Sequence, residues 1–396
     1  MRKDLRILLL YASYGNGHLQ VTHALNECFR RKGITQVTMT DLFAEAYPLT
    51  NKLTKFLYIK SFTLFPQVYG WLYYGTKKMK HNSMISKWFH SFGVHQLKRI
   101  IEKEKPDLII NTFPMLAIAQ LKKNSRIKLP TYTVLTDFEL HNRWVHNEIN
   151  KFYVASEDLK EQVAEFGIPQ ERIEVSGIPI KHAFTGAGSA INVTLHQRYG
   201  LSTDPLMKTV LLMAGSYGVL PNIKLICQQL VSYEKCQIIL VCGKNTSLQA
   251  EMETAFANHP RVILFGYFDQ IHELMSIATC VVTKPGGITI SEAISFCLPM
   301  LLYRPVPGQE RENANYLNDK EAALISYSAE QLVDHIRLIL EQPDQLAKMR
   351  HAILQLRKAN STDIIVTDIL KDMDTIQEVK SVAPSDQKRE IYEYVF

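Results

Sequence analysis

Lys284-Pro285-Gly286-Gly287-Ile288-Thr289-Ile290-Ser291-Glu292 is the stretch on which the reading of this chain turns. The residues before it, Cys280-Val281-Val282-Thr283, are β-formers in a short apolar run, the pattern of a buried strand. Ile290 to Ser295 then has helical apolar spacing. Two consecutive glycines therefore fall in a strand-to-helix turn, where they let the backbone approach a ligand and leave amide N–H groups at a helix N-terminus. Such a terminus favours negative charge, so a pyrophosphate fits it. Glu292, about one turn into the helix, has the reach to accept hydrogen bonds from both hydroxyls of a ribose. An anion seat beside a diol acceptor implies a nucleotide, and in particular a nucleotide sugar. A tight turn followed by a helix-stabilising acid is the plainer reading of the same residues.

The chain of 396 residues is long for one core and suits two domains. A hydrophobic content of 46% with 21% charged residues is that of a globular protein. The six cysteines form no CxxC pair and sit at packing positions, as in a reducing compartment. Arg2 to Arg6 precede only the strand-sized run Ile7–Tyr11, which is no signal peptide, and no stretch reaches the ~18 apolar residues of a spanning helix. A cytoplasmic protein is expected. The net charge of +6 permits a nucleic acid, an anionic membrane or an anionic ligand as partner.

Arg6 to Tyr11 is followed by Ala12-Ser13-Tyr14-Gly15-Asn16-Gly17-His18 and a helix to Arg31, with Val37 to Thr40 resuming as a strand. This βαβ opening has a glycine loop, but not G-x-G-x-x-G, so its signal for a nicotinamide dinucleotide is weak. His18 at the helix start is the feature of interest. The helix dipole would lower its pKa and make it a neutral base, whereas a histidine simply packed on the first turn is the alternative.

Between Asn51 and Lys105 lysines are frequent, acids are limited to Glu102 and Glu104, and aromatics such as Phe62, Trp71, Tyr73, Tyr74 and Trp88 are interleaved. Lysine with interfacial Trp and Tyr on helical segments is the composition of a surface lying on an anionic bilayer. Single-stranded nucleic acid competes for that reading, and so does an ordinary core under solvated lysines.

Strands and helices then alternate. Asp107–Thr112, Thr131–Leu135 and Phe152–Ser156 read as strands. Asp137 and His141 follow strand ends, on the side where open α/β sheets bind ligands. His141 and His146 match no metal-ligand spacing, and Asp372-Met373-Asp374 lies far from any strand end, so no metal site is expected. The small-residue run Thr185–Ala190 reads as a linker. A second series follows. Val210–Ala214 leads into the glycine loop Gly215–Val219, then come Ile238–Cys242, Val262–Tyr267, the opening stretch, and Pro299–Tyr303 before a helix through Asn313. Glu330 to Asp374 reads as helical. The expected fold is α/β, with two doubly wound Rossmann-like domains facing across a cleft. The expected division is an acceptor-binding, membrane-associating domain over residues 1–182, a nucleotide-sugar domain over 191–370, and a C-terminal helix and tail over 371–396.

Tyr14-Gly15-Asn16-Gly17-His18, Thr136-Asp137-Phe138, the second glycine loop, Thr283 to Ala293, and Pro307-Gly308-Gln309-Glu310-Arg311-Glu312-Asn313-Ala314 occur in that order. In this the chain resembles the GT-B glycosyltransferases of family 28. These include the processive diacylglycerol β-glucosyltransferases of Gram-positive bacteria, plant monogalactosyldiacylglycerol synthases and MurG. The likeness to the bacterial glucosyltransferases runs from about Leu5 to about Leu370 and includes Tyr58 to Phe62 and Tyr73-Tyr74. Asn16 departs from the pattern, standing where the plant enzymes and MurG carry glycine.

The resemblance implies roles residue by residue. His18 is the base that deprotonates the acceptor hydroxyl, with Asp137 orienting or assisting it. Gly215, Ser216, Gly286, Gly287 and Ile288 lie along the diphosphate, and Lys284 and Thr289 belong to the same donor-binding set. Glu292 holds the ribose, and the backbone at Phe265, Gly266 and Tyr267 holds the uracil. Gln309, Glu310 and Asn313 bind hydroxyls of the donor sugar. Tyr14, Asn16, Gly17, Phe62, Trp71, Tyr73, Tyr74, Lys77 and Lys78 meet the acceptor or the membrane. The implied reaction moves glucose from UDP-glucose to the 3-hydroxyl of 1,2-diacylglycerol with inversion, and then to the 6-hydroxyl of the glucosyl product. It runs at the cytoplasmic face of the membrane, with no obligatory metal and no nucleic acid. A UDP-galactose-dependent synthase or a MurG-like enzyme is the alternative.

Overall fold

The structure is a computed structural model of the chain, and it describes residues 4–13, 16–46, 66–77, 93–124, 128–185, 193–215, 220–257 and 259–382. The chain divides into two compact units, Met1–His182 with Asn360–Phe396, and Ala183–Ala359. Each is built on its own parallel sheet of six strands.

In the first unit the strands are β1 (Ile7–Tyr11), β2 (Val37–Asp41), β3 (Leu108–Asn111), β4 (Thr131–Val134), β5 (Lys151–Val154) and β6 (Ile173–Val175), in the spatial order β2-β1-β3-β4-β5-β6. The direction of winding reverses between β1 and β3, which are paired in parallel. Strands covered on both faces read as unbroken apolar runs. Ile7, Leu8, Leu9 and Leu10 are all buried, as are Leu108, Ile109 and Ile110. Helix Asn16–Arg31 packs its apolar residues Val21, Leu25, Cys28 and Phe29 beneath the sheet.

In the second unit β7 (Lys208–Met213), β8 (Cys236–Val241), β9 (Val262–Phe265), β10 (Cys280–Thr283), β11 (Met300–Tyr303) and β12 (Ala323–Ser326) are ordered β12-β11-β10-β7-β8-β9. The reversal here lies between β7 and β10. Ligands of open parallel sheets bind beyond the carboxyl ends of the strands that flank such a reversal. The loops after β1, β3, β7 and β10 are therefore the ones to examine. They contain Thr112, Gly215 and Lys284–Gly286, and the first of them leads into the helix that carries His18 as its third residue.

The division of the chain differs from the sequence expectation at its C-terminal end. Ser361–Val382 is one unbroken helix, so no boundary falls at residue 370, and the helix belongs to the first unit. Its apolar residues Ile365, Val366, Ile369 and Leu370 are buried. The Ser361 and Thr362 hydroxyls donate to the carbonyls of Ile178 and Ile180 at 3.0 and 2.7 Å. Asp363 meets Arg31 and Lys32 at 3.4 and 3.6 Å. The helical run expected from Glu330 to Asp374 is in fact three helices, Ala329–Glu341, Pro343–Leu356 and Ser361–Val382. Pro343 opens the second, because a proline has no N–H to continue the preceding turn. The short edge strands β6 and β12 are additions to the sequence reading.

None of the six cysteines is disulfide-bonded, and all but Cys297 are buried. Among the described residues no helix is long and apolar enough to cross a membrane.

Candidate active site

His18 is the third residue of helix Asn16–Arg31. Its Nδ1 lies 2.7 Å from the carbonyl oxygen of Thr112, the residue after β3, and 3.2 Å from the Thr136 hydroxyl beyond β4. A carbonyl only accepts, so Nδ1 carries the hydrogen and Nε2 is left with its lone pair. Phe113 meets the imidazole edge-to-face at 4.9 Å between centroids, and Trp144 stands at 6.3 Å. The Thr22 hydroxyl donates to the His18 carbonyl at 2.8 Å and so fastens the turn from below. The residue as a whole is half-buried, with the imidazole itself enclosed by protein. Burial pushes the imidazole down to about 4, against the upward pull of the Thr112 carbonyl. The expectation of a neutral base rested on the helix dipole; the main cause in the structure is desolvation.

Asp137 directly follows Thr136 and is buried. The side chain that reaches the imidazole from this loop is that of Thr136. Thr112 and Thr136 were not singled out from sequence as partners of His18. Part of the signal was available, since Thr112 stands immediately beyond β3, which flanks the reversal, and Thr136 two residues beyond the neighbouring strand β4.

Helix Pro66–Lys77 carries the described part of the basic-aromatic region. Tyr73 and Tyr74 are half-buried and pack edge-to-face at 5.4 Å. Tyr73 also meets His141 at 5.0 Å, and its backbone hydrogen-bonds that imidazole. The other ring nitrogen, Nδ1, accepts from the Arg143 N–H at 3.2 Å. Burial, followed by the Arg143 charge, lowers His141 to about 4. His146 Nε2 lies 3.0 Å from the Arg143 carbonyl. These two histidines are hydrogen-bonded structure, and among the described residues no group of three or more His, Cys, Asp or Glu side chains is placed to hold a metal. Trp71 is 75% exposed and Val68 53% exposed, three residues apart on one face of the helix that ends at Lys77. Asn16 and Gly17 open helix Asn16–Arg31. Tyr14, Phe62 and Lys78 lie outside the described residues, as does Ser216.

In the second unit the loop after β10 enters helix Gly287–Ser295 with Gly286 as its N-cap and no capping side chain. The Gly286 N–H turns back onto the Lys284 carbonyl at 2.9 Å, and the first helical bond is Ile290 N–H to the Gly286 carbonyl at 3.0 Å. Sequence reading had Gly286 and Gly287 both offering N–H groups outward. The structure moves that role one residue on, leaving Gly287, Ile288 and Thr289 as the uncapped donors at the helix start. Gly287 and Ile288 are buried. An aligned set of buried donors at a helix N-terminus is an anion seat. A Cβ on Gly286 would meet nothing within 4 Å, so open space lies over the turn. After β7, Gly215 turns the chain with φ 72, a value side chains disfavour.

Lys284 stands beside Glu310. Burial raises the Glu310 carboxyl, opposed by the Lys284 charge and by the Val306 N–H, which donates to Oε2 at 3.2 Å. Gln309 and Glu310 begin helix Gln309–Asp319, and Gly308 caps it with φ 102. Asn313, one turn on, is fully buried, and its Nδ2 donates to the Pro285 carbonyl at 3.1 Å. Glu292 is half-buried in the second turn of its helix. At the β9 end the Phe265 carbonyl accepts from the Cys242 N–H at 2.8 Å, Gly266 packs against Gln249, and Tyr267 is exposed with the Lys244 ammonium 5.4 Å from its ring centroid.

The family model for monogalactosyldiacylglycerol (MGDG) synthase matches residues 18–180, and that for the glycosyltransferase family 28 C-terminal domain matches residues 209–365. A processive diacylglycerol beta-glucosyltransferase of Bacillus thuringiensis is 38% identical over 374 residues, 94% of this chain and 95% of the relative. One from Bacillus cytotoxicus is 39% identical over 373 residues, again 94% of this chain and 95% of the relative. The chain belongs to the processive diacylglycerol beta-glucosyltransferase family. Solved structures carry the same GT-B fold at low identity. MurG of Acinetobacter baumannii superposes with a TM-score of 0.61 at 14% identity, covering 93% of this chain and 100% of that one. HepE of Anabaena in complex with UDP-glucose gives 0.51 at 13% identity, covering 93% of this chain and 100% of that one.

For this glucosyltransferase relative, the boundary between the two family matches falls where the chain passes from its first unit to its second. His18 stands at the first residue of the synthase match, and the uncapped helix Gly287–Ser295 lies within the C-terminal match.

Proposed function

We propose that the protein transfers glucose from UDP-glucose to the 3-hydroxyl of 1,2-diacylglycerol with inversion, and then to the 6-hydroxyl of the glucosyl product. Mono- and diglucosyldiacylglycerol result, as glycolipid and lipoteichoic acid anchor. The observation that carries the chemical part is the His18 imidazole, its Nδ1 on the Thr112 carbonyl and the ring held neutral by burial at the reversal of the first sheet. An inverting transfer without a covalent intermediate needs one general base and a stabilised leaving group. His18 takes the acceptor proton as the hydroxyl oxygen attacks the anomeric carbon on the face opposite UDP, so the α-linked donor gives a β-linked product. The C–O bond to UDP breaks as the new one forms, and the departing diphosphate carries the electron pair.

That charge falls to the N–H groups of Gly287, Ile288 and Thr289. Lys284 adds a positive charge beside them. With those donors and that cation assigned to the diphosphate, we expect no obligatory metal. Glu292 is assigned the ribose, Gln309 and Glu310 the hexose hydroxyls, Gly266 and Tyr267 the uracil. An imidazole this readily deprotonated is a weak base in the empty protein, and the negative charge of bound UDP-glucose favours the imidazolium that the transfer step forms.

The acceptor is a membrane lipid, and the anionic bilayer surface is the proposed partner, with no nucleic acid. The exposed apolar pair Val68 and Trp71 on helix Pro66–Lys77, whose last residue is a lysine, supports that reading. The protein then works peripherally at the cytoplasmic face. Incubation with UDP-glucose or UDP-galactose and diacylglycerol, followed by chromatography of the lipids, tests the whole assignment. Glucosyl lipids with UDP-glucose are the expected result; product only with UDP-galactose, or none, overturns it.

A further inference from the structure

Asn313 stands in the middle of helix Gln309–Asp319, where asparagine is a poor helix former, and it is fully buried. A primary amide is costly to bury without hydrogen-bond partners. Here one N–H crosses 28 residues of sequence to the Pro285 carbonyl at 3.1 Å. Pro285 has no N–H of its own, and the next N–H, that of Gly286, closes on the Lys284 carbonyl. The Pro285 carbonyl and the Gly286 N–H share one peptide plane. Fixing the carbonyl therefore fixes that plane, and with it the direction in which the chain enters the uncapped helix start at Gly287, Ile288 and Thr289.

We propose that Asn313 is a positioning residue for the diphosphate seat, acting on the Pro285–Gly286 peptide, and that it makes no contact with the transferred hexose. The proposal rests on the reading that this helix start holds the donor diphosphate. It assigns Asn313 a different task from the sugar contact that the family resemblance implied.

UDP and UDP-glucose separate the two roles, because UDP lacks the hexose. The test titrates both ligands into the full-length protein by calorimetry, for wild type, N313D and N313A. With a positioning role, N313D at pH 8 loses at least about tenfold in affinity for UDP, and UDP-glucose weakens by the same factor. A carboxylate cannot donate to a carbonyl, whereas its protonated form can. As the pH falls toward 5.5, N313D regains UDP affinity relative to wild type at the same pH, while N313A shows no such recovery. Unchanged UDP affinity with weakened UDP-glucose overturns the proposal in favour of a hexose contact. Parallel losses in N313D and N313A that ignore pH overturn it as well. Should N313D fail to fold, N313A carries the comparison of the two ligands alone. A wild type that binds no UDP sinks the diphosphate reading and this proposal together, an outcome distinct from a wild type and variants that bind UDP equally.

Discussion

The two sheets, wound in different strand orders, solve opposite problems at the same kind of place, the point where the winding reverses. At the reversal of the first, the proposed reactive group is a side chain, the His18 imidazole, and the backbone of Thr112 holds it. At the reversal of the second, the proposed anion donors are backbone N–Hs at the head of helix Gly287–Ser295, and a side chain, Asn313, bonds their loop. A base needs one nitrogen with a chosen proton; a diphosphate needs several donors in register. The difference determines what each site tolerates. The first should fail when one side chain is removed, the second only when the backbone or its approach is altered.

The largest effect belongs to His18→Ala. Turnover should fall by about 10²–10⁴, the usual worth of a general base, while UDP affinity holds. A variant that keeps wild-type turnover removes His18 from the role; one that loses UDP binding as well means that the two sites are not separate in the way described. The acid limb of kcat/KM gives a second handle. With the imidazole near 4, the free enzyme keeps its base neutral well below pH 6.5, so activity should persist into a range where an exposed histidine would already be protonated.

Gly286→Val probes the backbone site. The residue has φ −74, open to any side chain, and a Cβ there meets nothing within 4 Å. Stability should change by no more than about 0.5 kcal/mol. Donor affinity should drop by about tenfold, because the added methyls stand where the anion must approach the N–H groups. Gly215→Ala is the contrasting case, since φ 72 is strained for alanine and should lower stability by about 1 kcal/mol. If Gly286→Val leaves donor affinity intact, the space over the turn is not where the phosphate sits. Trp71→Ala should weaken binding to anionic vesicles by about fivefold, on the order of 1 kcal/mol for one exposed apolar side chain, and leave UDP binding alone.

How much of this was legible in the sequence depended on where each signal lay. The central strands announced themselves, because burial on both faces demands unbroken runs such as Ile7–Leu10 and Ile238–Val241. The edge strands did not. Ile173-Glu174-Val175 has a glutamate at its centre, and Ala323-Leu324-Ile325-Ser326 follows a helix with no glycine or proline to mark the break. Asn313 was found as part of a motif, but its bond to Pro285 is a contact between loops that no spacing encodes. The same holds for Thr112 and Thr136 around His18. The docking of Ser361–Val382 was hidden for a different reason: its apolar face is clear, but nothing local says which sheet will cover it.

That helix offers the subtlest test of the contrast, because it closes the first unit over a buried acid. Asp368 is well satisfied, with Lys151 at 2.6 Å and the Tyr153 hydroxyl donating at 2.7 Å. One turn on, the Asp372 Oδ2 is buried with no hydrogen-bond partner among the described residues, and so is the Tyr132 hydroxyl on β4. Burial raises the Asp372 carboxyl from its ordinary 3.8 to about 6, with the Asp368 charge adding to the rise and the Lys151 and Lys371 charges opposing it. A carboxyl whose folded pKa exceeds its unfolded value binds more protons in the native state. Its contribution to stability is therefore complete below about pH 4 and is lost as the pH rises through about 6. Asp372→Asn removes the charge and keeps the shape. The variant should be more stable than wild type at pH 8 by about 1–3 kcal/mol, and the gap should close toward pH 4.5. Thermal melts across that range, with proteolysis read at the C-terminal helix, measure it. A constant difference at every pH would mean that the carboxyl is already paired, and that the closure of the first unit carries no charge burden at all.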